Sequence, residues 1–345
     1  MCAKTIIFIL LLALGVGGAQ AAEEIAPNKR PVKVIADARL WVSAAAGSGV
    51  LPLYVSRDWS GPQPEITRAV LVFHGRLRDA DVYWRSAQKA LNASGDTQHT
   101  LMIVPQFLAD ADIPAHHLPD EILHWQWESW MGGENANGPA ALSSFDAIDA
   151  ILAQLSDRKR FPNLKDVVIA GHSGGAQVVQ RYAVVGRGEE LLGNLGTHIR
   201  YVVANPSSYL YFNEDRPAAA ASSCPQFNQW KYGWPGVPAY AQLKSPAAYE
   251  EAYTARDVVY LLGTADTNPN HPALDKSCAA ERQGAYRYAR GNAYFAYMQQ
   301  RHPKMTMQRL VKVEGVGHDG DAMFTSACGL SVLFDRGGCE GSAGK

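Results

Sequence analysis

Five stretches of this chain, residues 69–73, 100–104, 167–170, 201–204 and 258–262, are nearly continuous apolar runs. A strand wetted on one face alternates polar with apolar positions, whereas a strand covered on both faces reads apolar throughout. Between the runs lie segments with helical spacing, over residues 82–91, 144–155, 176–185 and 285–300. In the second of these, Phe145, Ile148, Ile151, Leu152 and Leu155 recur along one face. Strands alternating with helices predict a parallel sheet with crossovers. Residues 32–36 and 50–55, set off by Gly, Ser and Pro, predict two early strands. Residues 310–313 predict a last one, followed by a short helix over 319–326. Parallel strands end on one side of the sheet, and sites in such folds form outside those carboxyl ends.

Composition narrows the partners. The 345 residues are 47% hydrophobic with a formal net charge of -1, as in an ordinary soluble globular chain. No Pro/Ser/Gly-rich linker divides it, so one domain with a long insertion is expected. No basic run is present, which argues against nucleic acid or an anionic membrane surface as the main partner.

The first residues carry Lys4, an apolar run over 6–16, then small residues ending in Ala19, Gln20 and Ala21. That order predicts a secretory signal over residues 1–21, processed after Ala21. A spanning anchor needs about 18 to 20 apolar residues, and Gly17, Gly18 and Gln20 end this run early, so no stable membrane anchor is expected. Processing leaves residues 22–345 and removes Cys2. Cys224, Cys278, Cys328 and Cys339 remain, an even set in a chain bound for an oxidising compartment, secreted or periplasmic. Disulfides are preferred over a metal site, because the spacings hold no C-x-x-C pair. The expected pairs are Cys224 with Cys278, which joins two segments leaving the sheet's carboxyl edge, and Cys328 with Cys339, which closes a short loop.

The run 167–170 passes directly into Gly171-His172-Ser173-Gly174-Gly175, and a helical stretch follows. Strand, G-x-S-x-G, helix is the pattern of a nucleophile elbow. Ser173 sits on a sharp turn there, and neighbours with a Cβ would collide with the adjoining helix and strand. His172 would point away from the attacking oxygen and play a structural part.

In this setting the chain resembles an α/β-hydrolase over about residues 32–334. The resemblance implies a mostly parallel central sheet flanked by helices, with an aromatic-rich insertion after the sixth strand, at about residues 206–256. It also implies an oxyanion hole built from two backbone amides, here those of Gly174 and of Arg76, since residues 70–73 form an apolar strand ending in His74-Gly75-Arg76. In such hydrolases a histidine at the place of His74 serves the loop's geometry. The Arg76 side chain is open to two readings, an acidic substrate group or pairing with Asp79 or Asp81, and pairing is preferred.

A serine hydroxyl attacks poorly unless a base takes its proton and a carboxylate holds that base in one tautomer. The family supplies them in the order Ser, acid, His. Asp266 follows the run 258–262 and lies at the carboxyl edge, whereas Asp257 begins that strand; Asp275 and Asp319 are lesser competitors. His318 follows a strand in a Gly-rich loop, where similar hydrolases place their histidine. His198 precedes a strand, His302 ends a helix, and His271 could line the entrance.

About 50 residues separate Asn205 from Asp257, far above ordinary loop length. The segment carries Tyr209, Tyr211, Phe212, Phe227, Trp230, Tyr232, Trp234 and Tyr240, and a second group, Trp125, Trp127 and Trp130, follows the run 100–104. These rings suit either a substrate surface, with Trp127, Tyr209, Trp230 and Trp234 as contacts, or a small core of their own. The expected activity is hydrolysis of a small-molecule or polymeric carboxylic ester, without cofactor or metal. A serine peptidase or amidase, and a non-catalytic binding protein of the same fold, are the alternatives.

Overall fold

Eight strands make one sheet in the computed structural model, which describes residues 25–217 and 224–339. They are β1 (Ala38–Ala44), β2 (Gly47–Val55), β3 (Arg68–Phe73), β4 (Thr100–Pro105), β5 (Asp166–His172), β6 (His198–Ala204), β7 (Asp257–Gly263) and β8 (Gln308–Val313). Their spatial order is β1-β2-β4-β3-β5-β6-β7-β8. From β4 to β8 every pairing is parallel, and β2 is antiparallel to both β1 and β4. The expected signal segment, residues 1–21, lies outside the described residues.

The apolar runs are explained by two cores. Side chains alternate across a strand, so Leu71, Ile103, Ile169, Val203 and Tyr260 fall on one face and Val72, Met102, Val168, Val202 and Leu261 on the other. Helices α2 (Ser144–Leu155), α3 (Gly174–Val185), α4 (Pro246–Thr254) and α5 (Arg287–Arg301) cover the first face. Helices α1 (Ala80–Ser94), α6 (Gly320–Thr325) and α7 (Ala327–Phe334) cover the second. Local signals set the ends: Ser143 and Asp146 form a capping box at α2, and Gly95 closes α1 in the left-handed conformation.

Residues 32–36, expected as the first strand, are irregular. The Val32 amide donates to Asp112 Oδ1 and the Ala36 amide to Gln106 Oε1, each at 2.8 Å, so side chains take the bonds that a ladder would offer. The first strand is β1, where Leu40 and Val42 turn inward while Arg39, Trp41 and Ser43 face out.

Much of the segment after β6 has no regular structure, and its rings divide. Tyr209 and Tyr211 are fully buried; Tyr209 stacks on Tyr294 at 4.5 Å between centroids, and Trp234 meets Tyr249 edge-on at 5.6 Å. Cys224 in this segment is bonded to Cys278 in the loop after β7, with Cα atoms 6.0 Å apart, and Cys328 is bonded to Cys339. Among the described residues, no helix is long and apolar enough to cross a membrane.

The bridges span 54 and 11 residues. Loop closure alone makes them worth about 4 and about 3 kcal/mol. Replacing Cys224 and Cys278 together by Ser is therefore expected to lower the thermal midpoint more than replacing Cys328 and Cys339. Equal or reversed shifts in calorimetry would contradict that ranking.

Candidate active site

Ser173 lies where β5 turns into α3, with φ 58° and ψ -116°. A side chain tolerates this backbone only where the surroundings impose it. They do so through close approach. A Cβ on Gly175 would stand 2.2 Å from the Phe73 carbonyl oxygen, and one on Gly171 would stand 2.3 Å from Gly175 itself. The Ser173 amide is held by the Ala204 carbonyl of β6 at 3.0 Å.

Three elements that are distant in sequence converge on this turn. His318, between β8 and α6, faces Ser173 Oγ through Nε2 at 2.9 Å, and its Nδ1 faces Asp266 Oδ2 at 2.8 Å. An ionised carboxylate only accepts, so Nδ1–H donates to Asp266 and Nε2 is left to accept the serine proton. Asp266 is 2% exposed, and its amide donates to Gly263 at the end of β7. Burial raises its carboxyl above the ordinary value, against the opposing pull of Arg287. Burial likewise holds His318 well below the usual imidazole range, with Arg287 and His271 adding to it.

The backbones of Arg76 and Gly174 also approach closely, since a Cβ on Gly174 would lie 2.8 Å from the Arg76 nitrogen. His74 braces the Arg76 loop. The Phe107 amide donates to its Nε2 at 2.9 Å, which leaves Nδ1–H to donate to the Gly75 carbonyl at 2.8 Å. Burial lowers its pKa to about 4.

The Arg76 side chain does not pair with Asp79 or Asp81. Its Nε lies 3.5 Å from Glu128, because Asp81 turns along α1 to Arg85 and Asp79 is largely buried, its pKa raised by desolvation to about 6. Asp257 sits at the opposite edge of the sheet among His198, Arg200 and Arg309. Those partners outweigh its burial and hold it at about 2.

A cavity of about 350 Å³ opens over Ser173, walled by Arg76, Tyr83, His172, His271 and His318. The His172 ring lies 4.5 Å from that of His318, and its Nδ1 meets the Tyr83 hydroxyl at 3.0 Å. His271 stands edge-on to His318 at 4.9 Å. Among the described residues, no group of three or more His, Cys, Asp or Glu is placed to hold a metal ion.

The aromatic candidates separate. Tyr209 is fully buried beneath Tyr294 and offers no surface to a substrate. Trp234 packs on the core. Trp127 and Trp230 share a second cleft of about 420 Å³, which also takes in Glu128, the partner of Arg76.

The sequence reading did not single out Asn205, Tyr83 or Arg287. Asn205, at φ 48°, ties the Gly263 amide to the Gly317 carbonyl and so links the loops of Asp266 and His318. Its place directly after an apolar run was the available signal. Arg287 opens an amphipathic helix, where a cation reads as solvated.

No protein-family model matches this chain, and no curated protein matches it. Solved structures do. Poly(aspartic acid) hydrolase-1 from Sphingomonas sp. KT-1 is 21% identical, with a TM-score of 0.58 over 88% of this chain and 99% of that one. LpqC, the poly(3-hydroxybutyrate) depolymerase from Bordetella parapertussis, is 23% identical, with a TM-score of 0.57 over 84% and 85%. Likeness at this level identifies the α/β-hydrolase fold.

Gly175→Ala is expected to destabilise by about 3 kcal/mol or more, since a backbone carbonyl blocks the added methyl. Gly193→Ala, where a Cβ meets nothing within 4 Å, is expected to stay within about 0.5 kcal/mol of the parent. Urea denaturation compares them, and similar midpoints would remove the steric account of the turn.

Proposed function

We propose that this α/β-hydrolase-fold protein is an exported serine hydrolase that cleaves carboxylic esters, with Ser173 as nucleophile, His318 as base and Asp266 as the orienting acid. One observation carries the reading: an unbroken line of hydrogen bonds runs from Ser173 Oγ through both nitrogens of His318 to Asp266. Two further features support it. The Gly174 and Arg76 backbones approach closely beside Ser173, and two disulfides suit an oxidising compartment.

The steps follow from the geometry. Ser173 Oγ attacks the ester carbonyl carbon while Nε2 of His318 takes its proton. Negative charge develops on the carbonyl oxygen, where the Gly174 and Arg76 amides donate. Collapse expels the alkoxide, which leaves with the proton from His318. Water then repeats the sequence on the acyl-enzyme and releases the acid. Asp266 stays ionised and keeps Nδ1 protonated. The second reading, amide cleavage, uses the same groups on a poorer leaving group. The name of the poly(aspartic acid) hydrolase gives it standing, and matched ester and amide substrates distinguish the two. Both neighbours are named for polymers, which makes oligomeric esters the first substrates to try.

Ser173→Ala is expected to abolish hydrolysis of activated esters and labelling by a fluorophosphonate while circular dichroism is unchanged. Labelling elsewhere on the folded variant would refute the assignment. Asp266→Asn is expected to lower turnover by about 10³ to 10⁴, because the wrong imidazole tautomer is then favoured. A larger loss in Asp257→Asn would transfer the acid to the other end of the strand.

The pH profile has a defined sign. Only neutral His318 accepts the serine proton, and its pKa is held below the ordinary 6.5. Activity is therefore expected to rise through a limb whose midpoint lies below pH 6.5 and to be level from 7 to 8. A limb centred above 7 would contradict this environment for His318.

A further inference from the structure

Asp266 spends one oxygen on His318, and its other oxygen faces a buried cation. Oδ1 lies 3.5 Å from Nη1 of Arg287, and the two side chains are 2% and 0% exposed. Among the described residues, Asp266 is the only carboxylate within ion-pairing distance of Arg287.

Three contacts hold Arg287 in place. It is the first residue of α5, and the next amide in that helix, that of Tyr288, donates to the Asp266 backbone carbonyl at 3.1 Å. Its Nε donates to Ser207 Oγ at 3.0 Å, just beyond β6. The start of α5 is thereby docked onto the loop that carries Asp266. Nη1 and Nη2 find no hydrogen-bond partner among the described residues, so the guanidinium is held by Nε and by its attraction to Asp266.

A buried cation of this kind requires a reason, because desolvating a charge is expensive unless an opposite charge answers it. Burial lowers the guanidinium to about 10, so it remains charged at neutral pH. Burial also drives Asp266 toward its neutral acid form, and a neutral acid does not hold the His318 tautomer by charge. The other charged or titratable groups facing this pair are Arg76 from the loop after β3, Tyr83 on α1, His172 at the end of β5, Tyr209 beyond β6, His271 from the loop after β7, and Arg290 one turn along α5. None of them is an anion. Arg287 is the cation directly against Asp266.

We infer that Arg287 is a positioning residue for the triad: it fixes Asp266 as a carboxylate with one oxygen turned to His318, and it sets the acid limit of activity by opposing the imidazolium. The inference rests on the proposed serine hydrolase. The two actions carry the same sign in the pH profile. Without the guanidinium, Asp266 protonates at higher pH and the His318 imidazolium is easier to form, so the acid limb moves upward. A purely structural arginine would lower activity at every pH and leave the limb where it was.

Arg287→Met removes the charge and keeps the chain length. It is expected to raise the midpoint of the acid limb by about one to three pH units and to lower plateau kcat about tenfold with little change in KM. Arg287→Lys is expected to restore the limb to within about half a unit, since the charge returns. An Arg287→Met limb that coincides with the parent's, or an Arg287→Lys limb displaced as far as that of Arg287→Met, overturns the inference. If Arg287→Met does not fold, Arg287→Gln is read instead by nitrogen NMR of the His318 imidazole: a pKa raised by about one unit or more over the parent's is expected, and a smaller change overturns the inference. The same titration of the Ser173→Ala protein, with and without Arg287→Met, needs no turnover. Absence of esterase activity would defeat the functional reading, whereas an unmoved imidazole pKa would defeat only the role of Arg287.

Discussion

The close approach of Gly175 to the Phe73 carbonyl is the constraint on which the site rests. No side chain fits between them, so the end of β3 and the start of α3 sit nearer than ordinary helix-on-sheet packing allows. That proximity forces Ser173 into a positive φ and lifts Oγ above the sheet edge. It also brings the backbone of Arg76 from one loop against Gly174 from another. Bracing from His74 continues the same device, since its two ring nitrogens are both engaged by backbone and cannot serve as a base.

Asp257 and Asp266 show how position on one strand separates two identical side chains. Asp257, at the amino edge, is surrounded by Arg200, Arg309 and His198 and closes an ion-pair cluster. Asp266, beyond the carboxyl edge, has a single buried guanidinium and a single imidazole. The first arrangement saturates the carboxylate with cations. The second leaves one oxygen for a neutral partner that changes protonation, which is what an orienting acid requires.

The parallel sheet was legible because burial on both faces abolishes alternation, so residues 69–73 and 258–262 admitted little else. β1 was missed because its outward face carries Arg39, Trp41 and Ser43, and the neighbouring run 32–36 is the more apolar of the two. That Ser173, Asp266 and His318 come together was legible because each follows a strand's carboxyl end within five residues, and glycines mark the turns of the first and last. Tyr209 misled because aromatic residues in a long connection look alike until packing sorts them: Tyr209 goes under Tyr294, while Trp230 reaches the cleft beside Arg76. Arg287 carried no signal at all. Its burial follows from the docking of α5 on the Asp266 loop, a tertiary contact without a sequence period.

The imidazoles around Ser173 are kept neutral by their surroundings. Burial lowers His74, His172 and His318, and His271 is lowered by burial and by Arg287. The opposed charges nearest the centre of the site are then Asp266 and Arg287. In the proposed mechanism, proton transfer from Ser173 to His318 puts an imidazolium beside that pair, while the substrate oxygen gains the matching negative charge near Gly174 and Arg76. The two new charges would form around Ser173, a buried residue, where opposite charges attract more strongly than in water. In that reading Asp266 holds the imidazolium and Arg287 opposes it, which favours return of the proton to the leaving group. A site with a second free carboxylate near His318 would trap the proton there. On the role inferred for Arg287, the guanidinium behind Asp266 offsets that carboxylate's pull on the proton.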